Sequence, residues 1–430
     1  MTLTGHGLAA PRAVAIGILL LSGAIAGPGR AADLPLSVSL DEATRMALQG
    51  NPTYRMAATE VPRSIGARRD VEPLFPTNPL LDGEAGPRKE GTGDDATTQA
   101  SYAVRLQQRI NLPGQRSARL NAADQAIELA RTRVNAIGAE IRARVRGAYI
   151  AALVADRRRQ FSEQEVDFLA RAYEAAAARA ESGASSDIER RLAESELGLA
   201  RVARARALAD GERGLQDLRA VLNVPYDRLV LLTTTLRRPP DRALERERFL
   251  EVARQRRRDL VALRQEGKAI DAEIARLRAE RLPVVALGVT GEQDSPREYW
   301  VGPSLAIAPP VWQRQQGALA IAAADRQRQQ IALEASEQAA ARDLWLACDL
   351  VQRRREEIDL YEQTVLPATE RTRDLVFEGW RAGKFDIFRV LVAERDLVNA
   401  RLNYLESLAT LWGAETEIDR ALGVIEEGPS

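Results

Sequence analysis

The sequence predicts a mainly α-helical fold with a small transmembrane β part, in which long antiparallel coiled-coil helical hairpins are combined with four strands per chain. Three observations lead to this fold class. The chain contains an internal repeat of about 200 residues, each half holds one very long apolar heptad pattern, and each half holds two short alternating segments bounded by prolines. The two halves are therefore expected to share one architecture.

Charge and composition exclude several classes of protein. Lys+Arg and Asp+Glu both number 61, so the net charge is zero and the basic excess of a nucleic-acid-binding protein is absent. The only histidine is His6 and the only cysteine is Cys348, which lies in an apolar helical segment and is expected to be a packing residue. Zinc sites and catalytic triads require more such side chains. We therefore expect no catalytic site, no metal site and no cofactor.

The first 31 residues have the features of a secretory signal peptide. Arg12 precedes the apolar run 13–26, and small residues follow around Gly29-Arg30-Ala31, so cleavage is expected near Ala26 or Ala31. The run has about 14 residues, fewer than the roughly 20 that a helix needs to span a bilayer. No cysteine follows that could carry a lipid anchor, and no later stretch is long and apolar enough to span. Any membrane crossing would have to use strands that close into a barrel.

An internal repeat organises the rest of the chain. Gly183 corresponds to Gly383, and the same offset of 200 continues without a gap to Val224 and Val424. Upstream the offset is 196, so the second copy carries four extra residues near Pro367. Matched pairs include Ala193-Glu194 with Ala393-Glu394, Leu197 with Leu397, and Leu208-Ala209 with Leu408-Ala409. The chain is thus divided into a signal peptide (1–31), a first repeat (32–224), an equatorial linker (225–241), a second repeat (242–424) and a C-terminal tail (425–430).

Each half is predicted to run helix, strand, strand, long helix, tight turn and return helix. The expected helices are 40–70, 115–181 and 186–223 in the first half and 242–281, 315–381 and 384–423 in the second. The long helices carry an apolar residue every seven positions, which is typical of a coiled-coil seam. The seam comprises Leu120, Ile127, Val134, Ile141, Ala148 and Ala155, with Ala123, Ala130 and Ile137 beside it, and Leu344, Val351, Ile358 and Val365 in the second half.

Helix lengths indicate how the halves are assembled. Each return helix has little more than half the length of its outgoing partner, so it leaves part of the seam uncovered. We expect the helix before the strands to stack end to end on the return helix in each half. The proline-containing segment 223–241 would then form a belt around the middle of the molecule.

Four segments have strand character. Residues 101–110, 283–290 and 299–307 alternate apolar and polar side chains, and 76–86 do so less regularly. Prolines end the strands at the junctions with the helices, and polar stretches 86–98 and 291–298 are expected to be the outward loops. The apolar, lipid-facing positions are Tyr102, Val104, Leu106, Val285, Leu287, Tyr299, Val301 and Leu305, and the junction residues are Pro113, Gly114, Pro283, Pro309 and Pro310.

Four strands are too few to close a membrane-spanning barrel, for which about eight are needed. Two chains would supply eight strands around an interior filled by side chains, whereas three chains would supply twelve with room for a channel. Strand number alone therefore predicts an oligomer.

Several segments in their order and spacing resemble the TolC-like outer-membrane efflux protein family over essentially the whole mature chain. They are SVSLDEATRMALQGNP (37–52), FPTNPLLDGE (75–84), LQQRINLPGQRSARLNAA (106–123), AIAPPVWQRQQGALAIAAA (306–324), ESGASSDIERRLAESEL (181–197) and RAGKFDIFRVLVAERDL (381–397). The resemblance implies a homotrimer in the outer membrane, embedded in its lipid, with a shared 12-strand barrel and a periplasmic helical tunnel. It also implies a periplasmic adaptor, or membrane fusion protein, and an inner-membrane pump. The whole would be a tripartite efflux system in which this chain is the passive export duct.

The resemblance assigns the docking of the adaptor to the two hairpin tips. The residues concerned are Gly183, Ser186, Asp187, Gly383 and Asp386. Turn geometry explains the two glycines equally well, and helix N-capping explains Ser186 and Asp187 equally well. LPGQR is most similar to the branch that is paired with heavy-metal exporters of the resistance–nodulation–division class, although drug exporters have similar sequences.

One feature departs from the family pattern. Family members narrow the tunnel with acidic rings just beyond the second tip, where this chain has Arg389 and Val392. The gate region is therefore expected to be built differently, unless Arg389 simply lies on a solvated helix face.

Two alternatives remain open. One keeps the outer-membrane duct but gives it to a type I protein-secretion system, since the pump selects the cargo. The other, from a different class, is an exported coiled-coil scaffold without a pore, against which the paired strands argue.

Overall fold

A computed structural model describes residues 35–90, 97–295 and 298–424 of the chain. The predicted signal peptide (1–31) and C-terminal tail (425–430) lie outside these residues. The first half contains β1 (Leu36–Val38), α1 (Leu40–Gly50), α2 (Pro52–Val71), β2 (Leu80–Glu90), β3 (Thr97–Ile110), α3 (Gln115–Glu181) and α4 (Asp187–Leu222), and the linker contains β4 (Val230–Leu232). The second half contains α5 (Arg246–Arg256), α6 (Arg258–Ala279), β5 (Val284–Ser295), β6 (Glu298–Ala308), α7 (Gln316–Leu360), a π-helical segment (Tyr361–Val365), α8 (Leu366–Arg381) and α9 (Ile387–Leu422).

The long helices form as the heptad pattern predicts. Helix α3 has 67 residues and, at 1.5 Å per residue, is about 100 Å long. Of its seam, Ile127, Ala130 and Ile141 are buried. In the second half Leu344, Val351 and Ile358 are buried in one cluster with α9.

A π-helical segment interrupts the long helix of the second half where the extra residues were expected. It spans Tyr361–Val365 and ends two residues before Pro367, whose missing N–H cannot continue an α-helical hydrogen-bond ladder. A π turn interrupts the α-helical hydrogen bonding locally without ending the helix, so the second hairpin stays continuous here.

The two shorter predicted helices are each broken in the structure. The expected helix 40–70 is interrupted at Asn51 because Pro52 disfavours the helical conformation of the preceding residue. The expected helix 242–281 begins at Arg246 and is interrupted at Arg257, which has the same extended backbone, with φ −56° and ψ 120° against −64° and 122° for Asn51.

Each break lies against the end of a return helix, so the expected end-to-end stacking is confirmed. In the first half Asn223 Nδ2 donates a hydrogen bond of 3.0 Å to the carbonyl of Gly50. In the second half Gly423 packs so closely on Arg256 that a Cβ there would lie 2.8 Å from its carbonyl oxygen. Gly423 also has φ +67°, so glycine is favoured on both grounds.

The belt around the middle includes two short strands that sequence reasoning missed. Strand β1 pairs with β4 in parallel, Leu36 with Val230 through Val38 with Leu232. The buried Tyr149 of α3 fastens this pair, since its hydroxyl donates to the carbonyl of Val38 at 2.9 Å. Farther along, Trp412 Nε1 donates to the carbonyl of Arg237 at 2.8 Å and ties the belt to α9.

The four longer strands form one antiparallel sheet in the order β2-β3-β5-β6. The expected loops 86–98 and 291–298 were too long, because β2 continues to Glu90 and β5 to Ser295. Polar side chains are accommodated there by pairing across strands, as Arg88 does with Asp294. The expected strand 76–86 begins only at Leu80, because Pro76 and Pro79 cannot donate to a ladder.

Candidate functional sites: the four-stranded sheet and the hairpin tips

The register of the sheet collects the predicted apolar residues on one face. Residues directly opposite each other in antiparallel strands share a face, and Leu106 lies opposite both Leu81 and Val289. Because side chains alternate along each strand, all eight predicted positions share this face, namely Tyr102, Val104, Leu106, Val285, Leu287, Tyr299, Val301 and Leu305.

The apolar face of the sheet is exposed. Tyr102 and Val104 are each 53% exposed, and Tyr299 is 84% exposed. The opposite face carries charged and polar side chains, with Arg105 lying 3.6 Å from Asp82 and with Thr290 buried. This is the reverse of a soluble half-buried sheet, which turns its apolar face inward.

The two outer strands of the sheet have a free edge within the described residues. Strand β2 pairs only with β3, and β6 pairs only with β5. Each edge strand contains a proline, Pro87 and Pro303, which is the usual position of proline in a sheet. Since β2 and β6 run in opposite directions, the β6 edge of one chain could continue antiparallel onto the β2 edge of another.

The junction residues redirect the chain from the sheet into the helices. Gly114 has φ +88° and occupies the N-cap position of α3, and Pro113 precedes it. Pro283 stands immediately before β5, while Pro309 and Pro310 follow β6. All four junctions lie at the same end of the sheet, opposite the β2–β3 and β5–β6 connections, so the helices extend from one side only.

The first tip turns at Gly183, with φ +73°. The carbonyl of Arg179 accepts hydrogen bonds from the backbone N–H groups of Ala184 at 2.8 Å and Ser185 at 3.2 Å, which closes the end of α3. Ser186 occupies the N-cap position of α4 without a side-chain cap hydrogen bond.

Asp187, in the first turn of α4, is engaged by arginines of its own helix. Its carboxylate accepts from Arg190 Nε at 2.7 Å and Arg191 Nε at 2.8 Å. These hydrogen bonds lower the pKa of Asp187 below its ordinary value. The group is exposed and stays ionised, and the two arginines balance its charge at the tip.

The second tip has the same turn with a different surface. Gly383 has φ +74°, and Asp386 caps α9 by accepting from the backbone N–H of Arg389 at 3.1 Å. The guanidinium of Arg389 lies 5.3 Å from the centroid of the Phe385 ring. Val392, one turn farther along α9, is 37% exposed.

A buried tryptophan joins the two tips. Trp380 of α8 has no exposed surface, and its carbonyl accepts from Arg179 Nη1 of the first tip at 2.6 Å. The same arginine lies 5.5 Å from the indole ring, and the indole N–H is 3.4 Å from Glu189 of α4. Sequence reasoning did not single out Trp380, although a tryptophan beside the predicted turn was available as a signal.

A buried carboxyl group lies behind the tips. Glu394 of α9 is 3% exposed, and its closest cation is Arg373 of α8 at 3.7 Å, longer than a hydrogen bond. Burial raises the pKa of Glu394 to about 7, and the charge of Glu165 on α3 adds to the effect while Arg373 and Arg401 oppose it. The repeat pairs Glu394 with Glu194, but nothing in the sequence marked only the second copy as buried.

Cys348 lies fully buried in the apolar cluster between α7 and α9, as expected of a packing residue. Burial raises the pKa of its thiol, which keeps it protonated. Within the described residues, no group of three or more His, Cys, Asp or Glu side chains is placed to hold a metal ion. No helix of the described part of the chain combines the length and the apolar character needed to cross a membrane.

Comparison with known proteins identifies similar chains. A family model described as outer membrane efflux protein matches residues 46–224 and 249–424. The chain is 28% identical to the cobalt-zinc-cadmium resistance protein CzcC of Cupriavidus metallidurans over 388 residues, which cover 90% of both chains. Among solved structures, a membrane protein from Pseudomonas aeruginosa superimposes with a TM-score of 0.75 at 18% identity, covering 90% of this chain and 91% of that one. CusC superimposes with a TM-score of 0.72 at 19% identity, covering 89% and 92%.

Proposed function

Because the chain belongs to the outer membrane efflux protein family, we propose that three copies form a passive export duct, with a shared 12-strand barrel in the outer membrane and a helical tunnel in the periplasm. The observation that carries the proposal is the sheet, whose apolar face is exposed and whose two edges have no strand partner among the described residues. In lipid this arrangement is stable only when the edges are paired, since unpaired backbone groups in hydrocarbon cost several kcal/mol each.

Strand geometry supports closure by identical copies. Each chain contributes an even number of antiparallel strands, so the β6 edge of one copy and the β2 edge of the next meet in the antiparallel sense. Two copies would close an eight-stranded barrel whose interior is filled by side chains, whereas three leave a channel. The polar face, with Arg105 and Asp82, would then line an aqueous lumen.

The helical hairpins supply the periplasmic part of the duct. The tips formed around Gly183 and Gly383 are the parts of the helices farthest from the sheet, which suits contact with proteins of the inner membrane. We assign adaptor docking to Gly183, Ser186, Asp187, Gly383 and Asp386, and the gate region to Arg389 and Val392. The adaptor would connect the duct to a pump of the resistance–nodulation–division class.

The proposed class of exported substrate follows from a relative that aligns with most of the chain. CzcC is a cobalt-zinc-cadmium resistance protein, and the chain covers 90% of its length. We therefore propose heavy-metal cations as the exported substrates. Deleting the gene should lower resistance to cobalt, zinc or cadmium, and complementation should restore it. Unchanged metal resistance together with lost resistance to drugs, or with failed secretion of a protein, would instead favour one of the other duct functions.

The membrane assignment is tested with two neighbouring residues of β3. Val104 lies on the exposed apolar face and Ala103 on the polar face. We expect Val104→Arg to reduce the trimer in the outer membrane fraction, because arginine on a lipid-facing strand costs about 2–4 kcal/mol at the bilayer midplane. Ala103→Arg, the matched control, should assemble normally. Heat-modifiable migration on gels measures the amount of trimer. Equal assembly of both variants would contradict the proposal, and it is the result expected of a coiled-coil scaffold without a pore.

A further inference from the structure

Two arginines lie at the end of the sheet from which the helices extend. Arg116 is in the first turn of α3, and Arg314 lies between β6 and α7. Arg116 donates to the backbone carbonyls of 72–73, through Nη2 at 2.6 Å and through Nε at 3.4 Å. Arg314 Nε donates to the backbone carbonyls of 310–311 at 3.1 Å and 3.2 Å. Each guanidinium is therefore fixed to a segment that leads into or out of an edge strand.

The charge of these two arginines is not neutralised by a carboxylate. Their acceptors are neutral carbonyl groups, and among the described residues no Asp or Glu lies within ion-pairing distance of either side chain. The neighbouring Arg119, by contrast, lies 3.3 Å from Glu280. A guanidinium offers more N–H donors than these backbone bonds use, so both arginines can still bind an external anion.

A cavity of about 270 Å³ opens beside Arg116 and is large enough to admit a phosphate group. Its charged lining comprises Arg109, Arg116 and Arg119 together with the carboxylates of Asp70 and Glu280. Glu280 is already engaged by Arg119, and Arg109 forms no ion pair within the described part of the chain. The cavity therefore carries an excess of positive charge.

The apolar face of the sheet ends immediately before these arginines. Leu81 at the start of β2 and Ile307 at the end of β6 are both exposed on that face. The segment before β2 lies on the same side, because Gln108, which alternates onto the apolar face, donates to the carbonyl of Thr77 at 2.8 Å. Beyond β6, Trp312 is 86% exposed. A tryptophan at the border of an apolar band is typical of a membrane–water interface.

We propose that Arg116 and Arg314 bind the phosphate groups of anionic phospholipids in the periplasmic leaflet of the outer membrane. The inference rests on the proposed duct, because only insertion of the sheet brings its helix-bearing end to the lipid headgroups. In that barrel the end of β6 in one copy lies beside the start of β2 in the next. Arg314 of one copy and Arg116 of the next therefore belong to the same seam, and each lipid site draws on two copies. Guanidinium groups bind phosphate through paired N–H donors, and basic residues beside a bilayer attract anionic lipids.

The test is lipid binding to the purified trimer, counted by native mass spectrometry. Phosphatidylglycerol and phosphatidylcholine with the same acyl chains are titrated separately in detergent. The wild type should bind phosphatidylglycerol more tightly, because phosphatidylcholine is neutral overall. Arg116→Gln and Arg314→Gln should each weaken phosphatidylglycerol binding about fivefold. Arg254→Gln is the matched control and should bind like the wild type, since Arg254 is exposed on α5, away from the sheet.

A second pair of variants separates the charge from the hydrogen bonds to the backbone. Arg116→Lys and Arg314→Lys keep the charge but lose the fork of the guanidinium, and they should retain most of the phosphatidylglycerol binding. A loss as large as that of the glutamine variants would show that the arginines only hold the junctions, and it would overturn the lipid site.

Three further outcomes would also contradict a proposal. Equal binding of the two lipids by the wild type, or wild-type affinity in the glutamine variants, would overturn the lipid site while leaving the duct intact. Complete displacement of phosphatidylglycerol by an equal concentration of inorganic phosphate would indicate a pocket for small anions instead of a lipid surface. Absence of any trimer from the wild-type protein would overturn the duct itself.

Discussion

The return helices α4 and α9 occupy equivalent places in the repeat but have different surroundings. Both have 36 residues and both follow a tip with the same left-handed glycine. Six residues of α4 are buried, against sixteen of α9. Helix α9 packs against α3, α5, α7 and α8, whereas α4 packs mainly on α3 and exposes Ile188, Leu199 and Val202. Duplication has therefore copied the helix without copying its neighbours.

The difference changes the chemistry of matched residues. Glu194 is 58% exposed and pairs with Arg190 in its own helix, whereas Glu394 is 3% exposed and has an elevated pKa. Ala180 of the first tip corresponds to Trp380, which is completely buried in an apolar cluster drawn from both hairpins. The two tips are thus unequal, since only the second supplies a tryptophan to the cluster that joins them.

The largest effect on stability is expected from truncating Trp380. Trp380→Ala removes a fully buried aromatic side chain and is expected to cost about 3–5 kcal/mol of unfolding free energy. Trp345, which is 55% exposed on α7, provides the matched control, and Trp345→Ala should change stability little. Denaturant unfolding measures both. Equal losses in the two variants would show that the tips are not joined by Trp380.

The matched glutamates should differ in their dependence on pH. The pKa of Glu394 is raised to about 7 from 4.5, so the folded state binds this proton more tightly than the unfolded state. Its contribution to stability is complete below pH 4.5 and is lost as the pH rises to about 7. Glu394→Gln should therefore stabilise the protein at pH 8 by up to about 3 kcal/mol, since a tenfold change in protonation equilibrium is about 1.4 kcal/mol.

The control for this experiment is the exposed copy. Glu194→Gln should not give the gain in stability at pH 8, because the Glu194 side chain is largely exposed in the folded protein. Unfolding followed between pH 4 and pH 8 compares the three proteins. A wild-type profile that stays flat over this range would mean that Glu394 is solvated in the assembled protein.

The two tip glycines should respond alike. Gly183 and Gly383 have φ of +73° and +74°, and a Cβ at either would meet no neighbour within 4 Å. A β-branched residue such as valine should therefore cost about 1–2 kcal/mol of local strain at both tips without preventing assembly. Export should be impaired in both variants if both tips dock the adaptor. Export is measured as the resistance of cells to the exported substrate. Normal export by one of the two variants would restrict adaptor docking to the other tip.

The smallest difference is expected at the helix caps. Asp386 caps α9 through its side chain, whereas Ser186 at the equivalent position of α4 makes no such bond. Asp386→Ala should lower the free energy of unfolding by about 1 kcal/mol, whereas Ser186→Ala should hardly change it. Thermal unfolding is a suitable measurement. If Ser186→Ala lost as much stability as Asp386→Ala, the serine side chain would have to make a contact with another chain or with a neighbouring residue.

Much of the fold was predictable because the relevant signals are local. The heptad spacing around Ile127 and Leu344 predicted the long helices, and the alternation around Val104 predicted the strands and their apolar face. The strand ends were predicted less well, since Arg88 and Asp294 appear as loop residues until the two strands are placed side by side. The short strands β1 and β4 were missed because three residues are too few to show a period.

The sequence by itself determined the periodic elements, the repeat and the left-handed turns at Gly183 and Gly383, because backbone geometry within one element sets each of these. Only the tertiary structure decided which copy of a repeated residue is buried. Glu394 and Trp380 acquire their surroundings from segments that are distant in the chain. Desolvation and close packing depend on those neighbours, and identical residues in the two halves therefore have different properties.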